Sequence, residues 1–119
     1  MLQLLLHAWG DYITQNDWMA TNKVKFTLKG WIACFLHALI YSLPFLFIAS
    51  KEAAFIIFIT HFAIDKFRLA IYLVKLKNWC FASPTGFPAE VPAFLTVWLI
   101  IIIDNIIHIT INYFSILYL

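Results

Sequence analysis

His61-Phe62-Ala63-Ile64-Asp65-Lys66-Phe67-Arg68 sets a histidine and a carboxylate four residues apart inside a segment otherwise apolar enough to cross a membrane. Four residues is about one helical turn, so both groups point the same way. Asp104-Asn105-Ile106-Ile107-His108 carries the pair in reverse order within the most apolar run of the chain. On antiparallel helices, that reversal brings His108 level with His61 and Asp104 level with Asp65. His7 precedes Asp11 by the same four residues near the N-terminus, giving three His–Asp pairs in matching register.

Composition sets the class. The 119 residues are 64% hydrophobic and 12% charged, with mean hydropathy +0.89, whereas soluble domains are about half apolar and about a quarter charged. Each membrane span needs roughly 20 residues, so this length suits three or four spans with short loops and leaves no room for a separate soluble domain. The net charge of +2 is too small for nucleic-acid binding, and the basic residues sit near expected membrane boundaries. Membrane lipids and proteins are the expected partners. Cys34 and Cys80 have no spacing that announces a disulfide framework. Met1–Leu6 lacks the basic and small-residue pattern of a cleaved signal, so a retained N-terminus is expected.

The chain predicts a compact all-α bundle of four membrane segments at about 1–18, 30–49, 53–74 and 93–118, the first either spanning or only dipping. Residues 19–29, with Lys23, Lys25 and Lys29, read as a loop or interfacial segment. Pro44 is placed to kink the second segment or end its regular bonding. Ser50-Lys51-Glu52 makes a short turn, so the second and third segments should be antiparallel neighbours. Residues 78–92 hold Pro84, Gly86, Pro88 and Pro92 among Trp79, Phe81 and Phe87, the composition of a loop lying along an interface. Lys23, Lys25, Lys29, Lys75 and Lys77 share one side, which the positive-inside rule puts in the cytoplasm.

An aspartate at mid-membrane costs roughly 2.5–3.5 kcal/mol, so three ionised ones cost on the order of 10 kcal/mol unless compensated. His nitrogens and carboxylate oxygens together suit Zn²⁺, with Fe²⁺ or Mn²⁺ as further candidates, and a cation offsets that charge. The candidate ligands are His7, Asp11, His37, His61, Asp65, Asp104 and His108, enough for two metals or for one metal with supporting Asp–His partners. A proton or ion pathway and a hydrogen-bonded network without an ion use the same residues. Arg68 is expected to pair with Asp65 three residues before it, while Lys66 snorkels to headgroups. Tyr41 and Tyr72 read equally as interface aromatics or as hydrogen-bond donors to the site, and Cys34 as a small packing residue. A metal with water access could activate hydroxide against a lipid or lipid-linked substrate, with Asp65 or Asp104 taking the proton and Arg68 holding a phosphate.

The set His7-x-x-x-Asp11-x-x-x-Gln15-x-Asp17-Trp18, His37-Ala38-Leu39-Ile40-Tyr41, His61-x-x-x-Asp65-Lys66-Phe67-Arg68-Leu69-Ala70 and Asp104-Asn105-x-x-His108 resembles a family of small bacterial and bacteriophage membrane proteins known only as a domain of unknown function. The resemblance covers nearly the whole chain. It implies a multi-pass protein of the bacterial inner membrane or its phage-infected equivalent, and brings no established activity. A weaker likeness, to bacterial membrane-bound metal-dependent hydrolases, is analogy, and the aspartate-proline pattern of those enzymes is absent. Three functions are therefore expected as competitors. These are an intramembrane metalloprotein acting as a hydrolase, an ion- or proton-conducting homo-oligomer, and a phage-encoded protein that binds a host membrane protein through the aromatic loop at 79–92.

Overall fold

The structure, a computed structural model, describes residues 1–119 and is all-helical. Helix α1 (Leu2–Ala8) runs into a π-helical turn at Trp9–Ile13, and a short α2 follows at Asp17–Asn22. Helix α3 (Leu28–Ser42) tightens to a 3₁₀ turn over Leu43–Phe47, α4 is Lys51–Phe67, α5 is Leu69–Asn78 and α6 is Ala93–Tyr118.

Local chemistry places these boundaries. Asn16, Thr27 and Ser50 each accept a hydrogen bond from the backbone N–H three residues on (2.9, 3.2 and 3.0 Å) and so cap α2, α3 and α4. Pro44, which lacks the N–H an α-helix needs, lies in the first turn of the 3₁₀ segment, so the regular bonding ends there as expected. Two expectations need correction. The first segment stops at Ile13 rather than running to residue 18, and Asp17–Asn22, expected in part as loop, is helical because Asn16 starts a new helix. The third segment is not continuous over 53–74. Arg68 takes a left-handed conformation (φ 52°) that ends α4 and turns the chain so that α5 packs against α6.

On the last helix the distribution of polarity is inside-out. On α6 the buried residues are Thr96, His108, Asn112 and Ser115, all polar, while Phe94, Val97, Trp98, Ile102, Ile106 and Phe114 are exposed. A soluble helix buries its apolar face; this one turns it outward. Leu28–Phe47 and Ala93–Tyr118 are the two stretches long and apolar enough to cross a membrane. Helices α3 and α4 meet through small residues, with Ala33, Cys34, Ala38, Ala53 and Ala54 buried, which lets their backbones approach closely. Tyr41, Phe45, Ala54 and Ile57 form the apolar floor beneath the polar cluster.

Candidate metal centre

Each of the seven sequence candidates lies in one interior cluster, carried by α1 and its π turn (His7, Asp11), α3 (His37), α4 (His61, Asp65) and α6 (Asp104, His108). The π turn bears on this directly. Such turns are rare, and this one contains Asp11 and brings Gly10 against Tyr41, where an added Cβ would stand 2.3 Å from the ring. Only glycine allows that approach.

His37, His61 and Asp65 form one group of donor atoms within 4.8 Å of one another, and Asp11 joins it through the two imidazoles. His37 Nε2 lies 2.9 Å from His61 Nε2, 3.2 Å from Asp65 Oδ2 and 3.3 Å from Asp11 Oδ1. His61 Nε2 lies 3.4 Å from both Asp65 Oδ2 and Asp11 Oδ1. Ligands about 2.0–2.2 Å from a tetrahedral ion stand about 3.3–3.6 Å apart, so these separations are close to the edges of such a cage. The two imidazoles are within hydrogen-bond distance of each other at 2.9 Å, and Lys23 bonds Asp65 at 2.6 Å, while the imidazole–carboxylate separations are longer, at 3.2–3.4 Å. Charge-assisted N–H···O bonds are about 2.7–2.9 Å long, and the one hydrogen His37 Nε2 can carry could serve only one of its three neighbours. Asp11 Oδ1 in fact has no hydrogen-bond partner.

On the other side of Asp65, Oδ1 lies 3.4 Å from His108 Nε2, which is itself 3.4 Å from Asp104 Oδ2. The His61 and His108 rings lie side by side, centroids 4.2 Å apart and tilted by 33°, at the same level as the reversed motif predicts for antiparallel helices. The Tyr41 ring lies on His61 at 3.7 Å and holds it in place. That matters because His37 Nδ1 and His61 Nδ1 face no protein acceptor of the kind that commonly orients a metal-ligating imidazole.

His7 departs from its expected role as a ligand. Asn112 donates to the Tyr41 hydroxyl (2.7 Å), and that hydroxyl lies 2.8 Å from His7 Nδ1. His7 Nε2 lies 3.0 Å from Asn105 Oδ1, and Asn105 donates to the Tyr12 hydroxyl at 2.5 Å. Both ring nitrogens are thus engaged by protein groups, and His7 supports the cluster rather than facing its centre. Asn105 adjoins Asp104 and Asn112 follows His108 by four residues on α6, and that spacing is their signal in the sequence.

The basic residues exchange the parts expected of them. Lys23, expected at a membrane boundary, reaches in and donates to Asp65 Oδ2 at 2.6 Å. Arg68 makes no ion pair with Asp65 or any other group and is exposed, because the left-handed residue has left the helical face that would have carried it to Asp65. Lys66 does not snorkel. It is 0% exposed, donates to the carbonyls of Lys25 (2.5 Å) and Lys23 (3.3 Å), and lies over the rings of Trp31 and Phe26. Gly30 holds the other side of the same turn, where a Cβ would meet the Lys25 carbonyl at 1.9 Å. Together these contacts place the turn that delivers Lys23 to Asp65.

Cys34 donates weakly to the Phe62 carbonyl (3.6 Å) and packs between helices. Tyr72 is exposed, so of the two tyrosines only Tyr41 serves the cluster. Two hollows of about 130 and 290 Å³ share Lys23, Ile100 and Asp104 in their walls; Arg68 and Asp65 line the first, Asp11 and Asn105 the second. In the 79–92 loop Phe87 is buried, while Trp79 and Phe81 are exposed and pack edge to face at 5.3 Å.

The fold and the cluster define a helical protein with two membrane-competent helices and an interior His/Asp group able to hold a metal ion. Residues 1–118 match the family described as Protein of unknown function (DUF3307), and the chain belongs to that family. Comparison with curated proteins and with solved structures yields no match.

Proposed function

We propose that this protein is a multi-pass metalloprotein of the bacterial inner membrane that holds a divalent cation, zinc before iron or manganese, among Asp11, His37, His61 and Asp65, and hydrolyses a lipid or lipid-linked substrate. The observation that carries the metal is the convergence of those four donors at 2.9–3.4 Å with each imidazole Nε2 facing several of them. Charge supports it. Asp11, Asp65 and Asp104 with Lys23 leave a formal −2 when the imidazoles are neutral, the charge one divalent cation balances.

The hydrolase reading rests on the smaller hollow beside the cluster. It sets Lys23 and Arg68 against Val24, Ile64, Ile71 and Ile100, a wall suited to an anionic head joined to an apolar tail. A metal ion lowers the pKa of bound water to about 7 and so supplies hydroxide at neutral pH. Asp104, the most exposed carboxylate of the cluster, takes the water's proton, and Arg68 faces the phosphate. For a phosphoester the hydroxide oxygen bonds to phosphorus, the bond from phosphorus to the lipid alcohol breaks, and the proton on Asp104 passes to that alcohol.

Elemental mass spectrometry on detergent-purified protein tests the metal, and phosphate release from lipid phosphates in mixed micelles tests the chemistry. Wild type should hold metal and release phosphate, and Asp65→Ala should do neither. Folded wild type that holds no metal after incubation with zinc, iron or manganese sinks the metalloprotein reading. A metal-loaded protein inactive on every lipid phosphate tried removes the hydrolase and leaves the metal.

A further inference from the structure

The geometry points to a second divalent-cation site, built from Asp65 Oδ1, Asp104 and His108, that shares Asp65 with the first and has three protein donors where the first has four. The inference rests on the metalloprotein reading above and extends it to a two-ion centre.

Asp65 uses its two oxygens for different neighbours. Oδ2 faces His37, His61 and Lys23, while Oδ1 faces His108 at 3.4 Å. A carboxylate that presents one oxygen to each of two donor groups is the bridge that holds paired ions about 3.5–4 Å apart in two-metal hydrolytic sites. His108 is 2% exposed, and its Nε2 is buried without a hydrogen-bond partner although Asp65 Oδ1 and Asp104 Oδ2 both lie 3.4 Å away. A buried imidazole nitrogen equidistant from two carboxylate oxygens, and bonded to neither, stands as a ligand stands. The donor atoms of Asp65, Asp104 and His108 all lie within 4.8 Å of one another, a span that one ion can draw together.

The two sites differ in what they leave free. The first has four protein donors, the number that fills a tetrahedral structural ion. The second has three, the pattern of a catalytic ion that keeps a position for water or substrate. Asp104 is 31% exposed and lines both hollows. With both ions bound the cluster changes from net negative to net positive. The free position therefore takes an anion, hydroxide or a phosphate oxygen, on the side where Lys23 and Arg68 stand. The chemistry assigned above to the first ion would then belong to the second, with the first holding the helices in place.

The test counts ions. Wild type, Asp104→Asn and His37→Ala are loaded with manganese in detergent, freed of unbound metal, and analysed for metal per chain and by electron paramagnetic resonance. Two ions in wild type with the spectrum of a coupled pair, falling to one ion with an isolated-ion spectrum in Asp104→Asn and also in His37→Ala, is the result expected. Because Asp104 is part-exposed, its asparagine variant should fold, and gel filtration with circular dichroism confirms that it has. One ion in wild type and one in Asp104→Asn overturns the second site and leaves the first standing. One ion in wild type and none in Asp104→Asn overturns the division into two sites. No ion in wild type removes both.

Discussion

Removing the metal should cost this protein much of its stability, and the size of the loss follows from charge. Stripped of the ion, the cluster keeps three carboxylates against one ammonium, so two negative charges lose their compensation. Each ionised aspartate at mid-membrane costs roughly 2.5–3.5 kcal/mol, which sets the penalty at about 5–7 kcal/mol. Protonating an aspartate of ordinary pKa at pH 7 costs about 4 kcal/mol and offers little escape, but an imidazole of ordinary pKa takes a proton there for under about 1 kcal/mol, so the full penalty shows only in alkaline buffer that keeps the imidazoles neutral. The penalty compares with a total stability of about 5–15 kcal/mol for a domain. At about 3 °C or more per kcal/mol for a chain of this size, chelation should lower the melting temperature by on the order of 15 °C. Intrinsic tryptophan fluorescence during a thermal ramp in detergent and alkaline buffer, with and without a strong chelator, reads the change, and restoring zinc should reverse it. An unchanged midpoint after chelation, with elemental analysis confirming that the metal has gone, would refute the electrostatic reasoning.

Four further outcomes follow from particular contacts. Lys23→Met breaks the 2.6 Å pair with Asp65; breaking a buried pair costs about 3–5 kcal/mol. Because Lys23 is only partly enclosed, the loss should fall at or below that range, and added metal should recover more stability in the variant than in wild type. Gly10→Ala drives a Cβ into the Tyr41 ring and should cost about 1–3 kcal/mol by overpacking, with a lower melting midpoint and weaker metal retention, since Tyr41 orients His61. Lys66→Met removes the donor to the Lys23 and Lys25 carbonyls, which are only part-buried, so the loss should fall at or below the about 1–3 kcal/mol of a buried group left unpaired. Limited proteolysis should then cut first at residues 23–27, and an unaltered cleavage pattern would show that Lys66 does not hold that turn. Trp79→Ala with Phe81→Ala should leave metal content and melting midpoint unchanged; loss of a membrane partner in that double variant would instead favour the interaction-protein reading.

Much of this protein is written in local spacing. The step of four between His61 and Asp65, reversed between Asp104 and His108, is a property of a single helical turn, so the sequence by itself determined which side chains share a face. It also pointed to the helical class; of the four membrane segments it suggested, Leu28–Phe47 and Ala93–Tyr118 are the two helices long and apolar enough to cross. Partner choice was decided elsewhere. Which cation meets Asp65 depends on where a turn 42 residues earlier in the chain comes to lie, and no periodicity encodes that. Lys66 and Arg68 differ by two positions, yet one is sealed under Trp31 and Phe26 and the other is exposed, because the helix that would have ordered their faces ends between them at Phe67. His7 likewise carries the motif of a ligand but is engaged by Tyr41 and Asn105, residues 34 and 98 positions away. Helical periodicity reports direction around one axis; the meeting of four such axes, which gathers the cluster and leaves Asp104 in the wall of both hollows, belongs to the tertiary structure alone.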